Sequence, residues 1–140
     1  MGKGYLSKRI RQLVKARANG ACEYCKFLDK FRTEFDVVDH IIPRAKGGTD
    51  ELDNLAHCCS YCNGCKGEST EAYDSEGSVI AALFNPRQQA WSHHFRWDDT
   101  LTEIIGLTPT GRATVTLLDM NRLPIKRFRK IAIGQGHPPN

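Results

Sequence analysis

The chain has 140 residues, of which 40% are hydrophobic and 26% charged, and its formal net charge is +4. This length suits a single domain, and the composition excludes a wholly disordered protein. The sequence has no apolar run of about 18 residues, which excludes a membrane-spanning helix, and its first residues lack the apolar segment of a secretory signal. We therefore expect a cytoplasmic protein with no membrane partner.

The charge is unevenly distributed along the chain. Residues 1–32 carry nine basic and two acidic side chains, whereas residues 33–100 carry five basic and twelve acidic ones. The last segment, residues 101–140, has six basic against two acidic side chains. Basic ends around an acidic middle favour a protein that contacts phosphate groups with its ends and holds cations in its centre.

The first half of the chain contains four predicted elements. They are a basic helix over residues 8–18, a strand over 34–42, a polar loop over 44–53 and a short helix from Ser60. The hydroxyl of Ser7 can cap the first helix, and the dipeptide Asn19-Gly20 ends it. β-Branched and aromatic residues favour the strand, which Pro43 stops.

The second half is predicted to be less regular at first. Its expected elements are an irregular segment over 68–90, a hairpin of 91–97 with 101–107, helices over 109–121 and 125–133, and a frayed tail. Thr108 followed by Pro109 is typical of a helix start. The aromatic residues of this half, such as Phe84 and Trp91, are expected to form a small satellite core.

The six cysteines are grouped in a way that favours a metal site. Cys22 and Cys25 form one Cys-x-x-Cys step, and the other four lie within eight residues: Cys58, Cys59, Cys62 and Cys65. A secreted disulfide scaffold would spread its cysteines along the chain, whereas paired steps about 35 residues apart suit a tetrahedral Zn²⁺ site. The spacing alone leaves the second pair open between Cys59 with Cys62 and Cys62 with Cys65.

A second group of polar residues lies between and beside the cysteine pairs. Asp39-His40-Ile41-Ile42-Pro43 ends the predicted strand, Asn54 follows in the loop, and Asn63 lies on the short helix after Cys62. From Cys22 to Lys66 this pattern resembles the HNH nuclease family and its ββα-metal fold. The resemblance implies an α+β protein whose metal finger is held together by a zinc ion bound to four cysteines. A basic helix would precede the finger, and a hairpin-plus-helix extension would follow it.

The same resemblance settles the cysteine register and assigns the polar residues. In the zinc-bearing members the second pair begins five residues after the middle asparagine, which implies zinc ligands at Cys22, Cys25, Cys59 and Cys62. Cys58 and Cys65 then depart from the usual pattern. The implied general base is His40, and a second divalent cation, Mg²⁺ or Mn²⁺, would be bound by Asp39 and Asn63. Asn54 would hold the loop that positions His40.

These side chains also suit phosphodiester hydrolysis on chemical grounds. Imidazole can deprotonate water near neutral pH, and the oxygens of Asp39 and Asn63 suit a hard divalent cation. Adjacent strand residues point to opposite faces, so Asp39 and His40 could act from the two sides of a phosphate. Arg44 and Lys66 are further candidates for contacts to phosphate.

The sequence therefore predicts an endonuclease that cleaves DNA and leaves 5′-phosphate and 3′-hydroxyl ends. One such finger cuts one strand, so double-strand cleavage would require a dimer or two successive nicks. The alternative is a zinc-dependent DNA-binding module without catalysis, which has no need for Asp39, His40 and Asn63. The expected organisation is a basic helix over 1–20, a nuclease core over 21–70, an extension over 71–134 and a tail over 135–140.

Overall fold

The computed structural model describes residues 6–33 and 36–139. In these ranges the chain forms five helices and six short strands, which confirms the expected mixture of α and β structure. The helices are α1 (Lys8–Arg17), α2 (Ser60–Lys66), α3 (Trp91–His94), α4 (Pro109–Leu117) and α5 (Leu123–Gly134). The strands are β1 (Val37–His40), β2 (Leu55–Cys58), β3 (Glu71–Tyr73), β4 (Ile80–Ala82), β5 (Phe95–Trp97) and β6 (Ile104–Gly106). None of the described helices is long and apolar enough to cross a membrane.

Helix α1 has the start and end that its sequence predicts. The Ser7 hydroxyl accepts a hydrogen bond from the Ile10 N–H at 3.1 Å and so caps the first turn. Asn19 and Gly20 follow with positive φ angles of 57° and 80°, which end the helix and turn the chain toward the first cysteine pair. The fully buried Val14 lies on the inner face of the helix, which packs against β2.

The central unit is a hairpin of β1 and β2 followed by α2. The two strands are antiparallel, with Asp39 opposite Ala56 and His40 opposite Leu55. The predicted strand over 34–42 is confirmed only at its centre, because residues 34 and 35 lie outside the described part and β1 ends at His40. Leu55, directly after Asn54, begins β2, where pairing with β1 satisfies its backbone.

The segment from 68 to 90 is mostly irregular, as expected, but it also contains a short hairpin that the sequence did not predict. Strands β3 and β4 form a second hairpin there, with Ala72 opposite Ala81. Three-residue strands carry too little alternation to be recognised from sequence. The hairpin is fastened by Asp74, whose carboxylate lies 2.7 and 2.9 Å from two guanidinium nitrogens of Arg112 on α4.

The hairpin predicted from 91–97 and 101–107 is shorter than expected. Strands β5 and β6 pair as predicted, but residues 91–94 form the helical turn α3. The Trp91 indole N–H donates a hydrogen bond to the Tyr24 carbonyl at 2.9 Å, which ties this turn to the first cysteine pair. A contact across 67 residues thus overrides the strand preference of this aromatic segment.

Both C-terminal helices are confirmed, and the described part of the tail contacts the rest of the chain. The Thr108 hydroxyl caps α4 by accepting a hydrogen bond from the Gly111 N–H at 3.0 Å. After α5, the His137 ring lies 2.9 Å from Lys30 Nζ and packs edge-on against Phe31. The tail is therefore anchored to the segment that follows the first cysteine pair.

One hydrophobic core joins the two halves of the molecule. Phe84 and Phe95 are buried with ring centroids 5.2 Å apart, and the cluster that contains them also contains five of the six cysteines. Trp91 and Trp97 pack against this cluster. The aromatic side chains form a core as predicted, but it is continuous with the cysteines rather than a separate satellite.

The Asp74–Arg112 pair leads to a prediction about acid stability. The Arg112 guanidinium and nearby backbone N–H groups lower the pKa of Asp74 to about 2. A lowered carboxyl pKa stabilises the fold above the unfolded value of about 4 and loses that effect as the pH falls toward the folded value. We expect Asp74→Asn to lower the melting temperature at pH 7, and the difference from wild type to shrink as the pH is lowered from about 4 to about 2.

Thermal melts across that pH range test this prediction, with the exposed Asp99→Asn as a matched control. A melting difference for Asp74→Asn that does not change with pH would show that the ion pair has no role.

Candidate functional site

Four cysteine sulfurs come together between the first turn after α1 and the start of α2. They belong to Cys22, Cys25, Cys59 and Cys62, are all buried, and lie within 4.8 Å of one another. The Cys25 and Cys59 sulfurs are 3.8 Å apart. A tetrahedral zinc ion with Zn–S bonds of about 2.3 Å separates its sulfurs by about 3.8 Å. The four cysteines are therefore positioned to bind a metal ion, and the donor set and spacing fit zinc.

The backbone around each cysteine pair explains why the sulfurs converge. The Cys22 N–H donates to the Phe27 carbonyl, and the Lys26 N–H returns to the Cys22 carbonyl, each at 3.0 Å. Lys26 has a φ of 66°, the left-handed conformation that closes this tight turn. Cys59 is the N-cap of α2, where its sulfur accepts a hydrogen bond from the Cys62 N–H at 3.4 Å. Helix N–H groups favour a thiolate at that position.

The other two cysteines lie outside this set of four. Cys58 is fully buried in β2, and Cys65 is half-buried on α2. The second pair in the cluster is therefore Cys59 with Cys62, rather than Cys62 with Cys65.

Asp39 projects from β1 into a polar environment near the cysteines. Its carboxylate accepts a hydrogen bond from the Tyr24 hydroxyl at 2.7 Å and lies 3.2 Å from the Lys66 ammonium. Asp39 is only 2% exposed, and burial raises its pKa, although the Lys66 charge and the Tyr24 hydrogen bond oppose that rise. The Asn63 amide lies 3.4 Å from the other carboxylate oxygen.

His40 lies next to Asp39 at the end of β1 but has different partners. Its Nε2 is 2.8 Å from a carboxylate oxygen of Asp50, and the same oxygen is 2.8 Å from Nε of Arg44. The imidazole is 19% exposed, so it is accessible to water. Asp50 therefore links the imidazole to the arginine that was predicted to contact phosphate.

Asn54 organises the loop between β1 and β2. Its side-chain oxygen accepts from the Ile42 N–H at 2.9 Å, and its amide donates to the carbonyls of Ile42 and Thr49 at 3.0 and 2.8 Å. Its backbone carbonyl accepts a hydrogen bond from the Ile41 N–H. These contacts hold the chain just beyond His40, which is the arrangement that the predicted positioning role requires.

The position of Lys66 does not fit the predicted contact with phosphate. Lys66 is 2% exposed, and its ammonium donates to the carbonyls of His40 and Ile41 at 3.1 and 3.0 Å as well as to Asp39. A lysine on a short polar helix looks solvent-exposed in sequence, but α2 packs this face against β1. The ammonium instead holds the end of β1 and the Asp39 carboxylate.

A cleft of about 280 Å³ opens where β1, the following turn and α2 meet. Its lining includes Asp39, His40, Arg44, Asn63 and Glu68. The residues that the sequence pattern singled out for chemistry therefore border one solvent-accessible space. Asp39 and His40 both face this space, although they are adjacent on a strand, because the cleft lies at the strand end.

Sequence reasoning missed several residues that contact the site. Tyr24 lies inside the first Cys-x-x-Cys step and reaches Asp39, whereas Asp50 is one of several acidic residues in a polar loop. Arg17 and Arg87 contact the backbone beside Asn54. Only Tyr24 had a signal, namely a tyrosine held between two metal-ligand candidates. Finding the others required knowing which distant backbone atoms they approach.

A two-stranded hairpin, a following helix, four clustered cysteines and a polar cleft thus lie together in one segment of the chain. Residues 22–69 match the family model described as HNH endonuclease. That description indicates nuclease activity. No curated protein matches the sequence.

Proposed function

We propose that the protein is a metal-dependent DNA endonuclease that hydrolyses phosphodiester bonds in the cleft described above. The observation that carries this proposal is the meeting of Asp39, His40 and Asn63 around one cleft within the HNH segment. A module that only binds DNA has no use for a buried carboxylate and an imidazole beside each other in a cleft. Phosphodiester hydrolysis uses both.

His40 acts as the general base in this proposal. Asp50 accepts a hydrogen bond from Nε2, which leaves Nδ1 as the nitrogen that can accept a proton. The attacking water molecule transfers a proton to Nδ1 of His40. The oxygen of this water forms a bond to phosphorus, and the bond between phosphorus and the 3′-oxygen breaks. The products are a 5′-phosphate and a 3′-hydroxyl, whose proton comes from solvent.

Asp39 and Asn63 hold the catalytic cation, Mg²⁺ or Mn²⁺. One carboxylate and one amide oxygen suit a hard cation that keeps several water ligands. Half a turn of the Asn63 amide exchanges its nitrogen and oxygen, so the oxygen can face the cleft. When bound, the cation supplies positive charge for the phosphate and the leaving oxygen. Tyr24 and Lys66 keep the Asp39 carboxylate in place from the buried side.

The remaining predicted features fit the same proposal. Zinc bound by the four cysteines is structural and holds a ββα-metal finger, within a core over 21–70 that has a basic segment over 1–20 before it. The extension over 71–134 and the described part of the tail over 135–140 pack onto this core. Arg44 contacts a DNA phosphate, for which it would exchange its contact with Asp50. A reducing cytoplasm suits a protein whose function needs free thiols.

The proposal is tested by incubating supercoiled plasmid with the full chain in Mg²⁺, in Mn²⁺ and in EDTA. We expect relaxed or linear DNA with either cation and none in EDTA, because the cleft alone cannot neutralise the charge that develops on the phosphate. The ends should accept direct ligation, as 5′-phosphate and 3′-hydroxyl ends do. DNA binding without cleavage in either cation would instead favour the non-catalytic binding module.

A further inference from the structure

Two arginines from outside the HNH segment converge on one backbone carbonyl. Arg17, at the end of α1, donates from Nη2 to the Leu55 carbonyl at 2.5 Å and to the Leu52 carbonyl at 2.7 Å. Arg87, in the loop after β4, donates from Nη1 to the same Leu55 carbonyl at 3.1 Å. The matched family segment, residues 22–69, contains neither arginine.

The carbonyls that they contact lie on both sides of the Asn54 backbone. Leu52 to Asn54 forms a short 3-10 turn, and Leu55 pairs directly opposite His40 in the β1–β2 hairpin. Asn54 in turn holds the N–H and carbonyl of Ile42 just beyond His40. A shift of this turn would therefore move the groups that position His40.

The charges around this contact indicate that it is a specific feature of the fold rather than an incidental one. Arg17 and Arg87 carry like charges, and burial together with the Arg87 charge lowers the pKa of Arg17. Glu23 compensates them, because its carboxylate pairs with Arg87 and accepts a hydrogen bond from the His57 N–H in β2 at 2.7 Å. Two guanidinium groups, one carboxylate and the β2 backbone thus form one network.

We propose that Arg17 and Arg87 are positioning residues that hold the Leu52–Leu55 turn, and through Asn54 hold His40 in its catalytic position. This inference rests on the proposed nuclease function for its kinetic consequence, but not for its structural one. It assigns a role to α1 and to the loop after β4 that the HNH segment alone does not contain. The flanking segments complete the site rather than merely surrounding it.

The test compares Arg17→Met, which keeps the length of the side chain but removes its donors, with Arg17→Lys, which keeps one donor group. Arg87→Met is the parallel variant from the second segment, and Arg127→Met, an exposed cation on α5, is the charge-matched control. Three quantities are measured: amide hydrogen exchange at Ile41 and Ile42, zinc content, and kcat and KM for plasmid cleavage.

We expect Arg17→Met to speed exchange at Ile41 and Ile42 by about tenfold and to lower kcat by about 10–100-fold, with KM and zinc content unchanged. Arg17→Lys should recover part of both effects, Arg87→Met should show smaller effects in the same direction, and Arg127→Met should match wild type. A KM effect without a kcat effect would instead assign Arg17 to DNA binding and overturn the proposal.

The exchange measurement separates this inference from the proposed function. If the wild-type chain does not cleave DNA, faster exchange at Ile42 still supports the positioning role, and unchanged exchange rejects it. If Arg17→Met does not fold, Arg17→Lys and Arg87→Met provide the same comparison. Loss of the fold in all three variants would show that these arginines serve stability alone, which also overturns the proposal.

Discussion

Replacing His40 with alanine is expected to abolish detectable plasmid cleavage, a loss of about 10²–10⁴-fold in rate. The variant keeps Asp39 and Asn63, so the cation site remains, but the imidazole that accepts the proton of the attacking water is lost. The Asp39 carboxylate cannot replace it, because it is buried and already engaged by Tyr24 and Lys66. The rate is measured as the first-order loss of supercoiled plasmid in Mg²⁺ and in Mn²⁺.

His93→Ala is the matched control for this variant, since His93 is exposed on α3 and does not line the cleft. Zinc content should match wild type in both variants, because the four residues positioned to bind the metal ion are all cysteines. DNA affinity should also match wild type. Cleavage by His40→Ala at the wild-type rate would remove His40 from the role of base. Loss of DNA binding in that variant would show that the imidazole serves recognition instead.

Replacing Cys25 with serine is expected to release the zinc ion and unfold the central unit. Cys25 is fully buried in the cluster, and its carbonyl accepts a hydrogen bond from Arg129 of α5 at 3.3 Å. A structural zinc site contributes its binding free energy to folding, about 10–16 kcal/mol in small zinc domains. Loss of one thiolate would therefore remove a large part of the stability of a chain with so small a core.

Zinc content and far-ultraviolet circular dichroism melts measure this effect. Cys65→Ser is the matched control, because Cys65 lies on α2 but is not one of the four clustered cysteines. It should keep one zinc ion per chain and a melting temperature close to that of wild type. A folded Cys25→Ser protein that retains zinc would refute this ligand set and direct attention to Cys58, the buried cysteine next to Cys59.

Features that depend on neighbouring residues were predictable from the sequence. The cap at Ser7, the turn at Asn19-Gly20 and the Cys-x-x-Cys step each arise from hydrogen bonds or geometry within a few residues. The β3–β4 hairpin was missed for the opposite reason, since its anchor joins Asp74 to Arg112, 38 residues away. Short strands gain their stability from such distant contacts, which leave no local pattern.

The sequence by itself determined which chemical groups are present: four thiols at zinc-ligand spacing, an imidazole beside a carboxylate, and one asparagine before and one directly after the second cysteine pair. Side-chain chemistry and spacing are local properties, so a motif can carry them. Only the tertiary structure decided which groups are free and which are engaged. It buried Lys66 against Asp39, set Asp50 against His40 and brought Arg17 onto the turn that holds Asn54. Such pairings depend on distances between residues far apart in the chain, and only packing determines those distances.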